Sequence, residues 1–330
     1  MNKENHINNN RKINYLRLSI TDRCNLRCKY CMPEEGIDYL PHSEILRYEE
    51  MIHIVRLSVK RGIRKVRLTG GEPLVRKGCI DFIKQLGKIE GLDEVTLTTN
   101  GVLLKKYAAD IKAGGVHRIN VSLDSLRPDR FFQITGHDCF EQVWEGIQEA
   151  ERQTFSPIKI NVVAIRGVND DEIADFARLT LEKPYHIRFI EVMPIGGQNS
   201  TLDNFIPVEE IHGIIQGLGD LKPIHRRNNL DGPAQRFVLE GGKGEIGMIG
   251  AMSSHFCDIC NRLRLTAEGH IRSCLFSDHE IDIKTPLREG KGDDSLLELL
   301  DRAIEKKDNS QGVLRPGPRK CVRQMSSIGG

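Results

Sequence analysis

The sequence predicts an α/β protein, a partial (β/α)6 TIM-type barrel with a C-terminal region covering its open side. Three observations predict it. Six stretches of strand pattern each lead into an amphipathic helical stretch, which means right-handed parallel crossovers and a parallel sheet covered by helices. No Rossmann-type G-x-G-x-x-G occurs, and six units are too few for a complete eight-fold barrel. Uncommon residues gather where the strands end, which is where barrel folds build their sites.

After a polar tail over 1–13, residues 14–20 alternate large apolar with polar side chains and form the first strand. A helix follows over 49–61, with Ile52, Val55 and Val59 on one face and Gly62 as its stop. Strand 65–68 runs into Thr69-Gly70-Gly71-Glu72-Pro73 and a helix near 78–89. Strand 95–99 passes through Asn100-Gly101 to a helix over 103–113, stopped by Gly114-Gly115. Residues 117–123 make the fourth strand, and Phe140, Val143, Trp144 and Ile147 mark the helix behind it. The fifth strand is 158–165, with Asn169-Asp170 expected to cap a helix through Ile173, Phe176 and Ala177. The sixth is 186–193, followed by a helix over Val208–Gln216. The barrel therefore spans 14–216. From 217 to 330 the texture turns Gly-rich and irregular, with short strands expected at Gln235–Leu239 and Glu245–Ile249.

The chain has 330 residues, 39% hydrophobic and 28% charged, ordinary for a globular protein with a large core. A net charge of +2 argues against generic nucleic-acid binding, so any anion specificity rests on locally placed Arg and Lys. No apolar leader or membrane-length run is present, and a cytoplasmic protein is expected. Nine cysteines without a secretion signal point to metal-binding thiols rather than disulfides. Cys79, Cys139 and Cys321 stand alone and read as packing or surface thiols; the other six form two tight groups.

The first group, Cys24, Cys28 and Cys31, has C-x3-C-x2-C spacing, with Asn25 after the first thiol and Tyr30 before the last. Three thiolates hold three irons of a four-iron cluster and leave the fourth iron open for chemistry. The bland reading is a zinc knuckle that borrows His42. Several strands also carry a polar residue where period-two burial calls for an apolar one: Arg17, Arg67, Lys159 with Asn161, and Arg188. Any one of them alone reads as outward-facing and snorkelling, but four on four strands favour an anion pocket in the barrel.

The second group is Cys257, Cys260 and Cys274. A hairpin centred near Glu268 puts Cys274 opposite Arg262, so the third thiol returns beside the C-x2-C, and Arg262 and Arg264 share that face. An open-site cluster binding an anionic ligand and a structural zinc with His255, His270 or His279 both fit this spacing.

The cysteine motif, residues 67–74 and 98–101, the strand through Lys159, the segment 256–276 and the final Gly329-Gly330 resemble the GTP 3′,8-cyclase family of radical S-adenosylmethionine (SAM) enzymes, over nearly the whole chain. The resemblance implies two [4Fe-4S] clusters, one on Cys24, Cys28 and Cys31 and one on Cys257, Cys260 and Cys274. It implies SAM contacts from Tyr30, Gly71, Ser122 and Met193, and GTP contacts from Arg17, Arg67, Thr98, Lys159, Arg262, Leu263 and Arg264. Arg17, Arg262 and Arg264, with a Gly329-Gly330 tail entering the site, would support catalysis. The implied reaction starts with one electron passing from the first cluster to SAM. A 5′-deoxyadenosyl radical then takes hydrogen from C3′ of GTP, and C3′ attacks C8. Implied partners are an electron donor and, downstream, cyclic pyranopterin monophosphate synthase; neither nucleic acid nor membrane is expected, and a homodimer is compatible with exposed barrel helices. The rivals are a peptide-modifying radical SAM enzyme with auxiliary clusters and a non-enzymatic zinc adaptor.

Overall fold

The computed structural model describes residues 12–32, 36–196, 203–225, 232–309 and 321–329, so most of the polar tail, Glu34-Glu35 and Gly330 lie outside the described residues. Six parallel strands in sequential order form the middle of one sheet: β1 (Tyr15–Ser19), β2 (Lys65–Thr69), β3 (Glu94–Thr99), β4 (Arg118–Ser122), β5 (Ile158–Ala164) and β6 (His186–Glu191). The helices between them are α1 (Tyr48–Lys60), α2 (Cys79–Leu86), α3 (Leu104–Ala113), α4 (Pro128–Thr135), α5 (Phe140–Arg152) and α6 (Ile173–Glu182), and α7 (Val208–Gln216) follows β6.

Local chemistry explains the ends. The Arg47 amide donates to Glu50 Oε2 at 2.7 Å, half of a capping box at the start of α1, while Gly62 at φ +91° ends it. Helix α4 was not expected; Pro128 opens it and Gly136 at φ +72° closes it, but eight residues with two apolar anchors, Phe131 and Ile134, give little periodic signal. Asn169 does not cap α6. Its side chain instead donates to the carbonyls of Asp124 (2.7 Å) and Val163 (2.9 Å) and accepts from Ile165, fastening the end of β5 to the end of β4.

The C-terminal region supplies β7 (Leu221–Ile224), β8 (Gln235–Leu239), β9 (Glu245–Ile249), β10 (Arg262–Leu265), β11 (His270–Arg272) and β12 (Ile281–Asp282), with α8 (Lys284–Arg288), α9 (Asp293–Asn309) and α10 (Met325–Ile328). Its strands continue the barrel sheet at both edges. β9 lies parallel to β6 and β10 parallel to β1, and the twelve strands run β12-β11-β10-β1-β2-β3-β4-β5-β6-β9-β8-β7 without closing by hydrogen bonds among the described residues. The β10–β11 ladder pairs Leu265 with Ile271 and Arg264 with Arg272, and Cys274 follows two residues beyond its last pair.

The sheet has two unlike faces. Leu16, Leu18, Val66, Leu68, Leu97, Ile119, Val121, Ile160, Val162, Ile187 and Phe189 are at most 2% exposed and pack against the helices, forming the main core. The alternate residues face the lumen and are mostly polar, whereas most barrels fill that space with branched apolar side chains. Glu191, at the end of β6, ties the two regions together: its carboxylate accepts from the amides of Val208 (2.9 Å), Met252 (2.7 Å) and Ser253 (3.0 Å) and from the Ser253 hydroxyl. Glu191→Ala leaves these buried donors unpaired and is expected to lower stability by about 3 kcal/mol in urea unfolding. A loss below about 1 kcal/mol would show that the junction is held elsewhere.

Candidate functional site

The cysteine loop leaves β1 and lies directly on the turn after β2. The Gly71 amide donates to Thr21 O and the Glu72 amide to Arg23 O, both at 2.8 Å. A Cβ at Gly70 would stand 2.5 Å from Thr21 O, and one at Gly71 2.3 Å from Arg23 O. These glycines are required by the close approach of the loop backbone itself, beside the SAM contact that the resemblance implies for Gly71.

Glu72 is the hub beneath the loop. Fully buried, it accepts from Leu74 N (3.0 Å), the Thr99 hydroxyl (2.8 Å) and Asn100 N (2.6 Å), and burial pushes its carboxyl up to about 7 against those donors. Asn100 in turn donates to Asn25 Oδ1 at 2.8 Å and reaches Cys24 Sγ at 3.7 Å. From the other side, the Arg27 and Lys29 amides donate to the carbonyls of Thr135 and Ile134 at the end of α4. The Tyr30 hydroxyl donates to Asp124 Oδ2 at 2.6 Å, and Asp124 Oδ1 accepts from Val163 N at 2.8 Å. The loop is therefore held by β2, β3, β4 and the unforeseen α4.

Burial raises all three thiols of this loop, Cys28 farthest and Cys31 to about 12, with Asp124 adding to both. Such groups ionise only when a metal displaces the proton. Among the described residues, the one set of three His, Cys, Asp or Glu donors within 4.8 Å of one another is Glu268, His270 and Glu280, occupied as an ion-pair cluster by Arg323 and Arg272. Hydrogen-bond donors aimed at sulfur, Leu26 N on Cys24 at 3.4 Å among them, suit thiolate ligands of an iron–sulfur cluster.

The lumen face is cationic. Arg17 stands between Arg67 on β2 and Arg264 on β10 in strict register. Lys159 lies between Asn120 and His186, and Asn161 beside Arg188. At one end the charge is answered: Glu94 meets Lys65 (3.1 Å) and Arg118 (2.8 Å), and Glu245 meets Arg236 (2.8 Å) and His186 (3.2 Å). In the next row, Arg67 donates to Thr96 Oγ1 at 3.2 Å and Arg264 to the Gly329 carbonyl at 2.6 Å. Burial, reinforced by neighbouring cations, lowers Lys159 to about 5, Arg188 to about 9 and Arg264 to about 10. Tyr15 falls to about 8, because the pull of Arg67, Arg17, Lys65 and Arg262 overcomes its burial. Tyr15 OH, Thr98 Oγ1, Asn120 Nδ2 and Asn161 Oδ1 are buried without a hydrogen-bond partner among the described residues. The lumen is therefore both positively charged and short of hydrogen-bond partners, a receptacle for a compact polyanion.

Arg17, Arg67, Thr98, Lys159, Arg262 and Arg264 all share this face, with Ser122 at its rim beside Asn161. Leu263 does not: its side chain pairs with Leu16 on the opposite face, in the core, and only its backbone is near. Sequence reasoning missed Tyr15, Lys65, Arg118 and Arg236, although the first three continue the same alternation along their strands.

The second triad borders this lumen through β10. Against burial, Arg262 and then Lys307 draw the Cys260 thiol down to about 6, the reverse of the first triad. Of the histidines considered for zinc, His255 bonds to Ala251 O (2.9 Å) and His270 faces Glu268. The chain end reaches the same space. Gly329, at φ +73°, accepts from Arg264 Nη1 at 2.6 Å, and a Cβ there would lie 2.5 Å from Thr69 Oγ1. The Ser326 amide bonds to Cys31, while Met193 packs with Ile195, Cys321 and Ile328 under the tail.

Two family models match the chain: Radical SAM superfamily over residues 18–180 and Molybdenum Cofactor Synthesis C over 185–313. Proteins named GTP 3′,8-cyclase from Heliobacterium modesticaldum and Desulforamulus reducens are 47% and 51% identical, over 97% and 98% of this chain and 98% and 99% of their own. Among solved structures, Streptococcus suis SuiB bound to S-adenosylmethionine aligns with a TM-score of 0.59 at 14% identity, over 88% of this chain and 68% of that one, a likeness of fold.

Gly71→Ala puts a methyl into the Arg23 carbonyl and is expected to displace the cysteine loop, read as lost hydrogen-exchange protection of the residue 71 and Glu72 amides; unchanged protection would show that the loop gives way without consequence.

Proposed function

We infer that this chain, which belongs to the GTP 3′,8-cyclase family, converts GTP to (8S)-3′,8-cyclo-7,8-dihydroguanosine 5′-triphosphate in molybdenum-cofactor biosynthesis. It is a radical SAM lyase. The single observation that carries the substrate reading is the row of partly to fully buried Arg and Lys side chains in one lumen, bordered by both cysteine triads.

SAM bound to an iron–sulfur cluster supplies the 5′-deoxyadenosyl radical chemistry that side chains cannot. In our reading Cys24, Cys28 and Cys31 hold the cluster that binds SAM, and Cys257, Cys260 and Cys274 hold a second [4Fe-4S] cluster. Tyr30, kept in place by Asp124, and Gly71, Ser122 and Met193 surround SAM. Arg17, Arg67 and Lys159 receive the triphosphate, with Thr98 as a hydrogen-bonding neighbour, because guanidinium forks and a buried ammonium bind phosphate through charge-assisted bonds. Arg262 and Arg264, with the Leu263 backbone, orient the base beside the second triad. The Gly329-Gly330 end of the chain supports catalysis, with the Gly329 carbonyl held by Arg264 in the lumen. We assign the barrel to 14–216 and the second-cluster region to 217–330. An external electron donor feeds the reaction, cyclic pyranopterin monophosphate synthase consumes the product, and a homodimer is compatible with the exposed helices. Among the described residues, no helix is long and apolar enough to cross a membrane.

The test is an anaerobic incubation with reductant, SAM and GTP, scored for 5′-deoxyadenosine and the cyclised nucleotide. Both are expected from the full chain. Removing Gly329-Gly330 should leave iron content and GTP affinity intact but largely abolish cyclisation; full turnover by the truncated chain would refute the role of the tail, and no cyclised product from the full chain would refute the function.

Lys159 gives a pH signature. Free, its amine titrates near 5; beside phosphate it is held protonated, so GTP binding takes up a proton. Affinity should therefore gain up to about tenfold per unit as pH falls below neutrality, levelling below about 5. Lys159→Met should lose that component and keep the titration of the phosphate itself, as compared in binding titrations across pH. Identical slopes would place Lys159 outside the triphosphate site.

A further inference from the structure

The two cysteine triads occupy opposite electrostatic surroundings. Charged neighbours of the first are chiefly carboxylates: Asp124 acts on Cys28 and Cys31, Glu72 on Cys24, with Arg27 opposing at Cys24. The second triad has Arg262 and Lys307. Arg262 belongs to the substrate lumen, but Lys307 does not. It projects from the last turn of α9, is 5% exposed, and donates to Ser273 O at 2.6 Å, next to Cys274. It also hydrogen-bonds the Cys260 thiol. One ammonium thus bridges the two chain segments that carry the triad.

A buried lysine at a helix end that already packs on α1 through Arg61 and Asp301 is not needed to attach the helix. Its desolvation is tolerated because it faces anionic sulfur. Cluster potentials respond to net charge, hydrogen bonds to sulfur and exposure, and a bonded cation favours the more negative, reduced state.

Resting on the two-cluster reading above, we propose that Lys307 is a positioning residue for the second cluster, joining its two ligand segments and making it easier to reduce than the cluster on Cys24, Cys28 and Cys31. The experiment is an anaerobic redox titration of the full-length protein followed by electron paramagnetic resonance, the two signals being assigned in Cys28→Ala and Cys260→Ala proteins. In Lys307→Gln and Lys307→Met the reduced-to-oxidised ratio of the second cluster at fixed potential should fall about tenfold, equivalent to about 59 mV for a one-electron couple. Lys307→Arg should stay near wild type, and the first cluster should not move in any variant. Loss of the second cluster from the Gln and Met proteins but not from Arg supports the same assignment. Loss from all three, or an unmoved potential in all, overturns it. Wild-type iron is counted first: about eight irons per chain upholds the two-cluster reading, while about four refutes that reading and the Lys307 assignment with it.

Discussion

Three guanidinium groups, those of Arg67, Arg17 and Arg264, stand on adjacent strands of one sheet in strict register and face one buried space. Strands are about 4.8 Å apart. Like charges at that separation repel by about 3 kcal/mol per pair at an effective dielectric of about 20. The rest of the molecule accommodates this repulsion. Glu94 and Glu245 neutralise the neighbouring layer, burial and neighbouring cations lower Lys159 to about 5, and cohesion falls to the other face, where Leu, Val and Ile pack under helices. A polyanion entering the lumen relieves stress already present in the empty protein, so binding and stabilisation are one event.

The cysteine loop obeys a different constraint. It is irregular backbone at a barrel mouth, and its donors are matched by fixed acceptors on four elements, with Glu72 carrying the connection from the β2 turn through Asn100 to Asn25. The three thiols are thereby positioned by the barrel and not by one another.

Much of this was legible in the residues. The alternation around Arg17, Arg67, Lys159 and Arg188 shows which strand face is polar, because a period of two leaves no alternative assignment once the helices cover the other side. The Glu268-Gly269 turn fixes the hairpin register and hence the place of Cys274. Other features were hidden because they depend on distant partners. Nothing local in Arg262–Leu265 or Glu245–Ile249 says that they lie parallel to β1 and β6. Helix α4 is too short for periodicity to show, and Lys307 reads as an ordinary basic residue in a last turn until folding brings it to Ser273 and Cys260. The close approach of the cysteine-loop backbone to Gly70 and Gly71 likewise shows only once β1 and β2 are paired.

The pairing of β1 with β10 also has a consequence in time. The strand that begins the barrel has one edge bonded to β2, while its other edge waits for a segment about 240 residues downstream. At ordinary synthesis rates of roughly 5–20 residues per second, that edge stays bare on the ribosome for on the order of ten to fifty seconds. An unpaired parallel edge is a template for wrong partners. Inward-pointing charge is one of the devices that keep an open strand edge from pairing wrongly, and Arg17, costly in the finished lumen, puts such a charge on β1.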